Sequence, residues 1–441
     1  QRGRVHQGAP NAANPLQITQ YLQQALGLFG KPLKTTLISM LDLKGNQSLQ
    51  MMARLAAWSA NLLGGNFRWQ LLPTPFAIYA DGMDVVLFEE FGAGEMALDL
   101  KNQIERNALL QDEGYRRNFR KFYAQKLSPR VWQRDFGDAI VLECPDRALV
   151  GRNFAEIARE RSIHVVDLFL DLVVEFGRSL RWYTTVGNHR RQAVLEMVQD
   201  PRTLITFSDA GAHIRNMAFY NLPLRFLKLV RQAADDGQPV MSLEKAVWRV
   251  TGEQADWFGI EAGRIREGDR ADLVVLDPSG LAQDLEQVHW AEMENFGGLQ
   301  RLVNRNPGLV EHVFINGRAA VEHGEVVPAL GREAGFGTRR LGRRLSAGGE
   351  RKCAGSQRQG HERTSEHRFP PMEQAAQVAS PISCAKKFRS YIARATRAAE
   401  RPLPRMREVR MAVSNNVSER IGKPWPKLSV STSAPRTRAS P

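Results

Sequence analysis

Through residues 1–330, short apolar runs rich in β-branched residues alternate with longer amphipathic segments, and this alternation constrains the fold most. The strand-like runs are 33–41 (LKTTLISML), 67–72 (FRWQLL), 139–143 (AIVLE), 180–186 (LRWYTTV) and 203–207 (TLITF). Helical spacing marks 16–29, 49–63, much of 94–135, 154–161, 165–176, 192–198 and 243–258. Strands that alternate with helices predict βαβ units and a parallel sheet, hence an α/β fold. Beyond Gly259 the pattern changes to 271–277 (ADLVVLD) and 310–316 (VEHVFIN), punctuated by Gly317 and Gly324, which predicts a small β unit. The resulting expectation is an α/β body over 15–262, a small β unit over 263–330 and a disordered basic tail over 331–441.

Charge supports the last boundary. The chain has 61 basic and 47 acidic residues, a formal +14. Residues 331–441 hold 24 lysines and arginines against 8 acidic residues, so the whole excess lies there. That segment is rich in Arg, Ser and Pro and has little apolar periodicity, so it cannot bury enough surface to offset its ordering entropy. One short helix is expected near 385–399. A basic tail can serve nucleic acid or another acidic surface, but this one has no repeated or aromatic-interleaved basic motif, so nucleic-acid binding is not the reading taken. No apolar run reaches the roughly 20 residues of a membrane helix. Three cysteines, Cys144, Cys353 and Cys384, make neither a disulfide framework nor a four-cysteine zinc site, which favours a reducing, cytoplasmic setting.

The segment 203–219 (TLITFSDAGAHIRNMAF) carries the chemistry. An apolar run ends in Ser208-Asp209, and Gly211 permits a tight turn. In a parallel barrel, groups at the carboxyl ends of strands form the active site. Asp209 there suits metal ligation and proton transfer; on spacing alone, capping of the next helix is an equal reading. Asn188 and His189 follow the 180–186 run and become substrate-binding candidates with His213 and Arg215, whose guanidinium suits a carboxylate. Cys144 after AIVLE is a candidate metal ligand. Lys44 is a remoter candidate, as a modified bridging lysine.

Ser208-Asp209-Ala210-Gly211-Ala212-His213 resembles the eighth-strand motif of the amidohydrolase superfamily. The segment from Thr251-Gly252 through Gly263-Arg264-Ile265 to Ala271-Asp272-Leu273-Val274-Val275-Leu276-Asp277-Pro278 is similar to that superfamily's exit from the barrel. Phe314-Ile315-Asn316-Gly317-Arg318 with Gly324 resembles its terminal hairpin. The D-aminoacylase-like branch, N-acyl-D-amino-acid deacylases and relatives, is the nearest in pattern over about 139–330. The resemblance implies zinc-assisted hydrolysis of a non-peptide C–N bond in an N-acyl amino acid, with Asp209 as catalytic base and metal ligand.

The histidines depart from that pattern. The nine, at 6, 164, 189, 213, 289, 312, 323, 361 and 367, include no H-x-H pair. About five barrel strands are legible where a complete barrel has eight, and the first residue is Gln1. What the resemblance implies for the fold is therefore an incomplete TIM-type (β/α) barrel over 15–262 with a β-sandwich portion over 263–330, the carboxyl-terminal portion of a longer enzyme. Two alternatives stand beside hydrolysis: a catalytically inactive remnant, and a binding protein that acts through its basic tail.

Overall fold

The computed structural model describes residues 5–8, 34–47, 49–125, 131–209, 213–293, 297–304, 306 and 308–337. The expected helices over 16–29 and 385–399, Gly211, and all but the first seven residues of the basic segment lie outside them.

The strands are β1 (Val5–Gly8), β2 (Lys34–Met40), β3 (Phe67–Leu71), β4 (Phe76–Asp81), β5 (Ala139–Glu143), β6 (Arg181–Gly187), β7 (Thr203–Leu204), β8 (Leu273–Leu276), β9 (His289–Met293), β10 (Leu299–Val303), β11 (Val310–Ile315), β12 (Arg318–Glu322) and β13 (Glu325–Val326). The helices are α1 (Leu49–Leu62), α2 (Gly92–Asp99), α3 (Gln103–Gln111), α4 (Glu113–Ala124), α5 (Phe154–Glu160), α6 (Val165–Phe176), α7 (Arg191–Gln199), α8 (Leu222–Asp235), α9 (Leu243–Val250) and α10 (Gly252–Phe258).

A parallel sheet runs β1-β2-β3-β7, with Thr35 opposite Phe67 and Trp69 opposite Thr203. Among the described residues this sheet stays open. The runs at 139–143 and 180–186, expected in the parallel sheet, instead pair antiparallel with each other, and the second also with β4, in a separate sheet ordered β4-β6-β5. An apolar run carries no direction of its own. Here the partner of β6 is Phe76–Asp81, which the alternation did not single out, and it runs opposite. TLITF pairs only at Thr203 and Leu204, because the chain then leaves the sheet toward the loop of Asp209.

The antiparallel sheet is packed by aromatics. Trp132, Phe136, Phe154, Phe169 and Trp182 are fully buried. Phe136 stacks on Phe169 at 4.7 Å, and Trp182 meets Phe154 and Phe169 edge-on at 5.8 Å each. Burying such rings contributes about 1.5–3 kcal/mol apiece. The helices that bring them there start at polar caps. Asn153 accepts from Glu156 N at 2.8 Å and His164 Nδ1 from Val166 N at 3.2 Å, each satisfying an amide the helix leaves open.

The amphipathic stretch 243–258 is two helices, broken at Thr251. The Thr251 hydroxyl donates to the Val247 carbonyl at 2.7 Å, a back-bond that bends helices. Gly252 lies where a β-carbon would meet the Trp248 ring at 2.8 Å, so the break also admits the ring. Toward the carboxyl end, β13-β12-β11-β8 form an antiparallel sheet and β9-β10 a hairpin. Order continues past residue 330: Arg318 pairs with Glu333 at 2.8 Å and stacks on Phe336 at 4.1 Å.

Candidate active site

The carboxyl ends of the parallel strands collect the polar residues that the sequence singles out. β2 leads into Leu41-Asp42-Leu43-Lys44, β3 into Leu72-Pro73-Thr74, and β7 into the chain toward Ser208-Asp209. The end of β6 joins this rim from the antiparallel sheet. Asn188 N donates to the Asp42 carbonyl at 2.8 Å and Lys44 N to that of Val186 at 2.9 Å. Gly187 is required by that approach, since a β-carbon would stand 3.1 Å from the Asp42 carbonyl oxygen.

Asn188 is fully buried. Its Oδ1 accepts from Asp42 N at 2.8 Å and its Nδ2 donates to the Leu72 carbonyl at 2.7 Å. One amide thus ties the exits of β2, β3 and β6 together. Its geometry is that of a scaffold residue, in contrast to the substrate contact expected from its place after a strand. Arg215 differs in the same way. Its Nε donates to Asp81 Oδ2 at 3.1 Å, and Arg181 meets the other oxygen of that buried carboxylate at 3.2 Å. Both guanidinium groups lie over the Trp290 ring, at 5.2 and 3.8 Å. Arg215 therefore joins β4 to the β9-β10 hairpin.

His189 projects from the rim beside Asp42, Lys44, Arg190 and Asp138. Arg190 forks onto the buried Asp42 carboxylate, with Nε to Oδ2 at 2.8 Å. Lys44 pairs with Asp138 at 3.1 Å, an ion pair that gives this amine a plain electrostatic role in place of the bridging one. His189 itself is exposed, although neighbouring chain shields part of the ring. That shielding, then the Lys44 charge, holds its pKa below the usual histidine value; Asp42 opposes, Arg190 adds to the lowering and Asp138 opposes again.

Asp209, five residues beyond β7, has a left-handed backbone conformation, φ +47°, and Asn188, directly after β6, has φ +54°. Such a conformation costs a non-glycine residue about 1–2 kcal/mol, least for Asn and Asp. The Asp209 carboxylate is about one-third exposed and stands 3.6 Å from His213 Nε2. The loop is held from both sides. Phe207 meets Phe76 edge-on at 5.9 Å, and Phe76 packs on Phe219 at 5.8 Å. Asn216 donates to the carbonyls of Tyr79 at 2.7 Å and Asp84 at 3.1 Å. Phe207 N reaches the Leu71 carbonyl at 3.4 Å, one residue from the Leu72 carbonyl that Asn188 holds. Asp209, His213, Asn188 and His189 thus rise from one end of the sheet.

Cys144 does not join them. Its thiol is buried beyond β5, and burial ahead of its other surroundings pushes its pKa up, opposite to what thiolate ligation needs. Among the described residues no group of three or more His, Cys, Asp or Glu gathers as a metal site. A catalytic zinc takes three protein ligands; the described rim offers Asp209 and His213. These residues alone do not fit a complete metal centre. Sequence reasoning passed over Thr74, whose buried hydroxyl on the same rim has no hydrogen-bond partner; the only signal for it was its place three residues past β3.

An amidohydrolase family model matches residues 153–320. The chain is similar to uncharacterized proteins of Mycobacterium tuberculosis (strain H37Rv) and Mycobacterium bovis, each 44% identical over 330 residues, which is 74% of this chain and 54% of theirs. It spans about half the length of these curated relatives. Among solved structures, a D-aminoacylase studied for its binuclear metal center overlaps with a TM-score of 0.39 and 19% identity, over 74% of this chain and 54% of that one. An N-acyl-D-glutamate deacylase from Bordetella bronchiseptica, complexed with zinc and a phosphonate inhibitor, overlaps with a TM-score of 0.38 and 17% identity, over 72% and 53%. The span matched by the amidohydrolase family model, residues 153–320, carries Asn188, His189, Asp209, His213 and Arg215.

Proposed function

We propose that this chain contributes the proton-transfer half of an amide-hydrolysing site, with N-acyl amino acids as the substrate class. The observation that carries the reading is Asp209: a carboxylate at the exit of a parallel strand, partly exposed, held in a left-handed turn beside His213. In this reading Asp209 accepts a proton from the attacking water and returns it to the leaving amine as the C–N bond breaks. His213 holds the carboxylate in place through its Nε2. His189, neutral at physiological pH because its pKa is lowered, offers a hydrogen bond to the bound amide from the neighbouring strand end. A bound metal, zinc by the resemblance, would supply Lewis-acid polarisation of the carbonyl and an activated water. Among the described residues no full ligand set for such an ion gathers, so no step is routed through it.

The test is amine release from N-acetyl-D- and N-acetyl-L-amino acids by the full chain, beside Asp209→Asn. Hydrolysis lost at least about a hundredfold in the variant, as removal of a general base predicts, supports the reading. Full activity in the variant overturns it. The lack of a three-ligand cluster among the described residues favours a second reading, an inactive remnant of the fold; it is sustained if the wild-type chain releases no amine and retains no metal. The tail-binding alternative rests on 331–441, nearly all of it outside the described residues. A salt-sensitive affinity for polyanions that disappears with that segment would support it.

A further inference from the structure

The last antiparallel sheet contains two hairpin turns of the same kind. β11 and β12 are joined at Asn316-Gly317, with φ +52° and +77°; β12 and β13 are joined at His323-Gly324, with φ +52° and +80°. Positive φ at both central residues is what a tight two-residue hairpin turn requires, and Asn-Gly is its usual solution. The second turn puts histidine where the first has asparagine. The consequence is a contact: the His323 ring lies 4.9 Å, centre to centre, from the ring of His312 on β11, at an interplanar angle of 69°. Phe314 stacks on His312 at 6.2 Å. His312 Nδ1 is shut off from solvent and has no hydrogen-bond partner. A buried imidazole nitrogen left unsatisfied costs free energy unless something meets it.

We propose that His312 and His323 form a binding site for a divalent transition-metal ion such as Zn²⁺, Ni²⁺ or Cu²⁺, separate from the Asp209 rim. Imidazole nitrogen is a preferred ligand for these ions. With each nitrogen about 2.1 Å from the ion and roughly 1.1 Å from its ring centre, two imidazoles on one tetrahedral ion have centres about 5 Å apart. The observed 4.9 Å matches that separation. Glu322 and Glu325, opposite each other across the turn, place negative charge beside the pair. Water completes the coordination, as no third ligand residue gathers among the described residues. A bound ion fastens the β12-β13 hairpin to β11.

Cu²⁺ is the probe, added to the full chain and followed by electron paramagnetic resonance and titration calorimetry. His323→Asn copies the neighbouring Asn316-Gly317 turn and so keeps the backbone; His312→Gln is the second variant. Asp209→Ala separates this site from the rim. The expected result is a two-nitrogen copper signal in wild type and Asp209→Ala, lost in both histidine variants. One binding event should weaken by at least about tenfold, because even an outer-shell partner is worth 10–100-fold. Copper should raise the melting temperature of wild type and not of His323→Asn. Signals and isotherms that are the same in wild type and the histidine variants overturn the proposal, as does a copper signal that disappears with Asp209→Ala instead.

Discussion

Replacing Asn188 by alanine should destabilise the protein by about 4 kcal/mol, and the figure follows from three separable losses. The side chain satisfies the Asp42 amide at 2.8 Å and the Leu72 carbonyl at 2.7 Å, in a place without solvent access. Each group stranded there costs about 1.5 kcal/mol, in the lower half of the usual range of about 1–3. The backbone at φ +54° adds about 1 kcal/mol, because alanine loses the tolerance that asparagine has for that conformation. For a folded unit of this size each kcal/mol lowers the melting temperature by about 2–4 °C, so a drop of about 8–16 °C is expected. Asn188→Gly strands the same two groups but relieves the backbone, so it should recover about 1 kcal/mol relative to alanine at this position. Urea and thermal melts of the three proteins check this. A loss below about 1 kcal/mol in Asn188→Ala would show that water or rearranged backbone satisfies Asp42 and Leu72, and would refute the assignment of Asn188 to the scaffold.

Arg249 is buried and donates to Glu253 at 2.9 Å and to the Thr203 carbonyl at 2.5 Å. Arg249→Ala should cost about 3–5 kcal/mol in a urea melt, whereas Arg249→Met with Glu253→Leu recovers most of it, since the uncompensated charge is what costs. Cys144 should resist iodoacetamide in the native protein at pH 7.5 and react once urea unfolds it, read by mass spectrometry of its peptide, because burial raises its pKa. His189 should titrate by NMR below the ordinary histidine value. Its folded pKa is the lower one, so the unfolded chain takes up the proton first; stability is untouched above about 6.5 and falls as pH drops below it. His189→Gln should flatten that part of the stability profile.

The sequence made the elements legible where a local pattern suffices. The 139–143 run and the 165–176 helix have the expected bounds, and β2, β3 and α1 differ by a residue or two. It did not show direction or partner, because a buried strand presents the same apolar run either way. Hence β5 and β6 were expected in the parallel sheet, and β4, which decides their pairing, was passed over. Helix α8 was also missed: it starts with Leu222-Pro223 directly behind a loop read for its chemistry. Among site residues, polar type at a strand end proved an unreliable guide. Asn188 and Arg215 stand where substrate contacts belong, yet backbone groups engage the one and Asp81 the other. Residue type sets what a side chain can bind and leaves open which neighbour takes it.

Asn188 and Asp209 make the distinction physical. Both leave a strand at the same end of the sheet in the same left-handed conformation. The Asn188 amide is fully buried, with its oxygen and its nitrogen each engaged by a backbone group, so it is shut away from any substrate. A carboxylate has about four acceptor positions, and that of Asp209 is about one-third exposed with a histidine nitrogen 3.6 Å away. The left-handed turn therefore accompanies different placements: at Asn188 the side chain points inward and locks three strand exits, and at Asp209 it stays partly open to solvent, as the proposed base requires. If that division is right, Asn188→Gly should lower stability and hydrolysis together, while Asp209→Asn should remove hydrolysis and leave the melt within about 1 kcal/mol of wild type. A melt of Asp209→Asn as damaged as that of Asn188→Gly would place Asp209 in the scaffold and refute its assignment as the base.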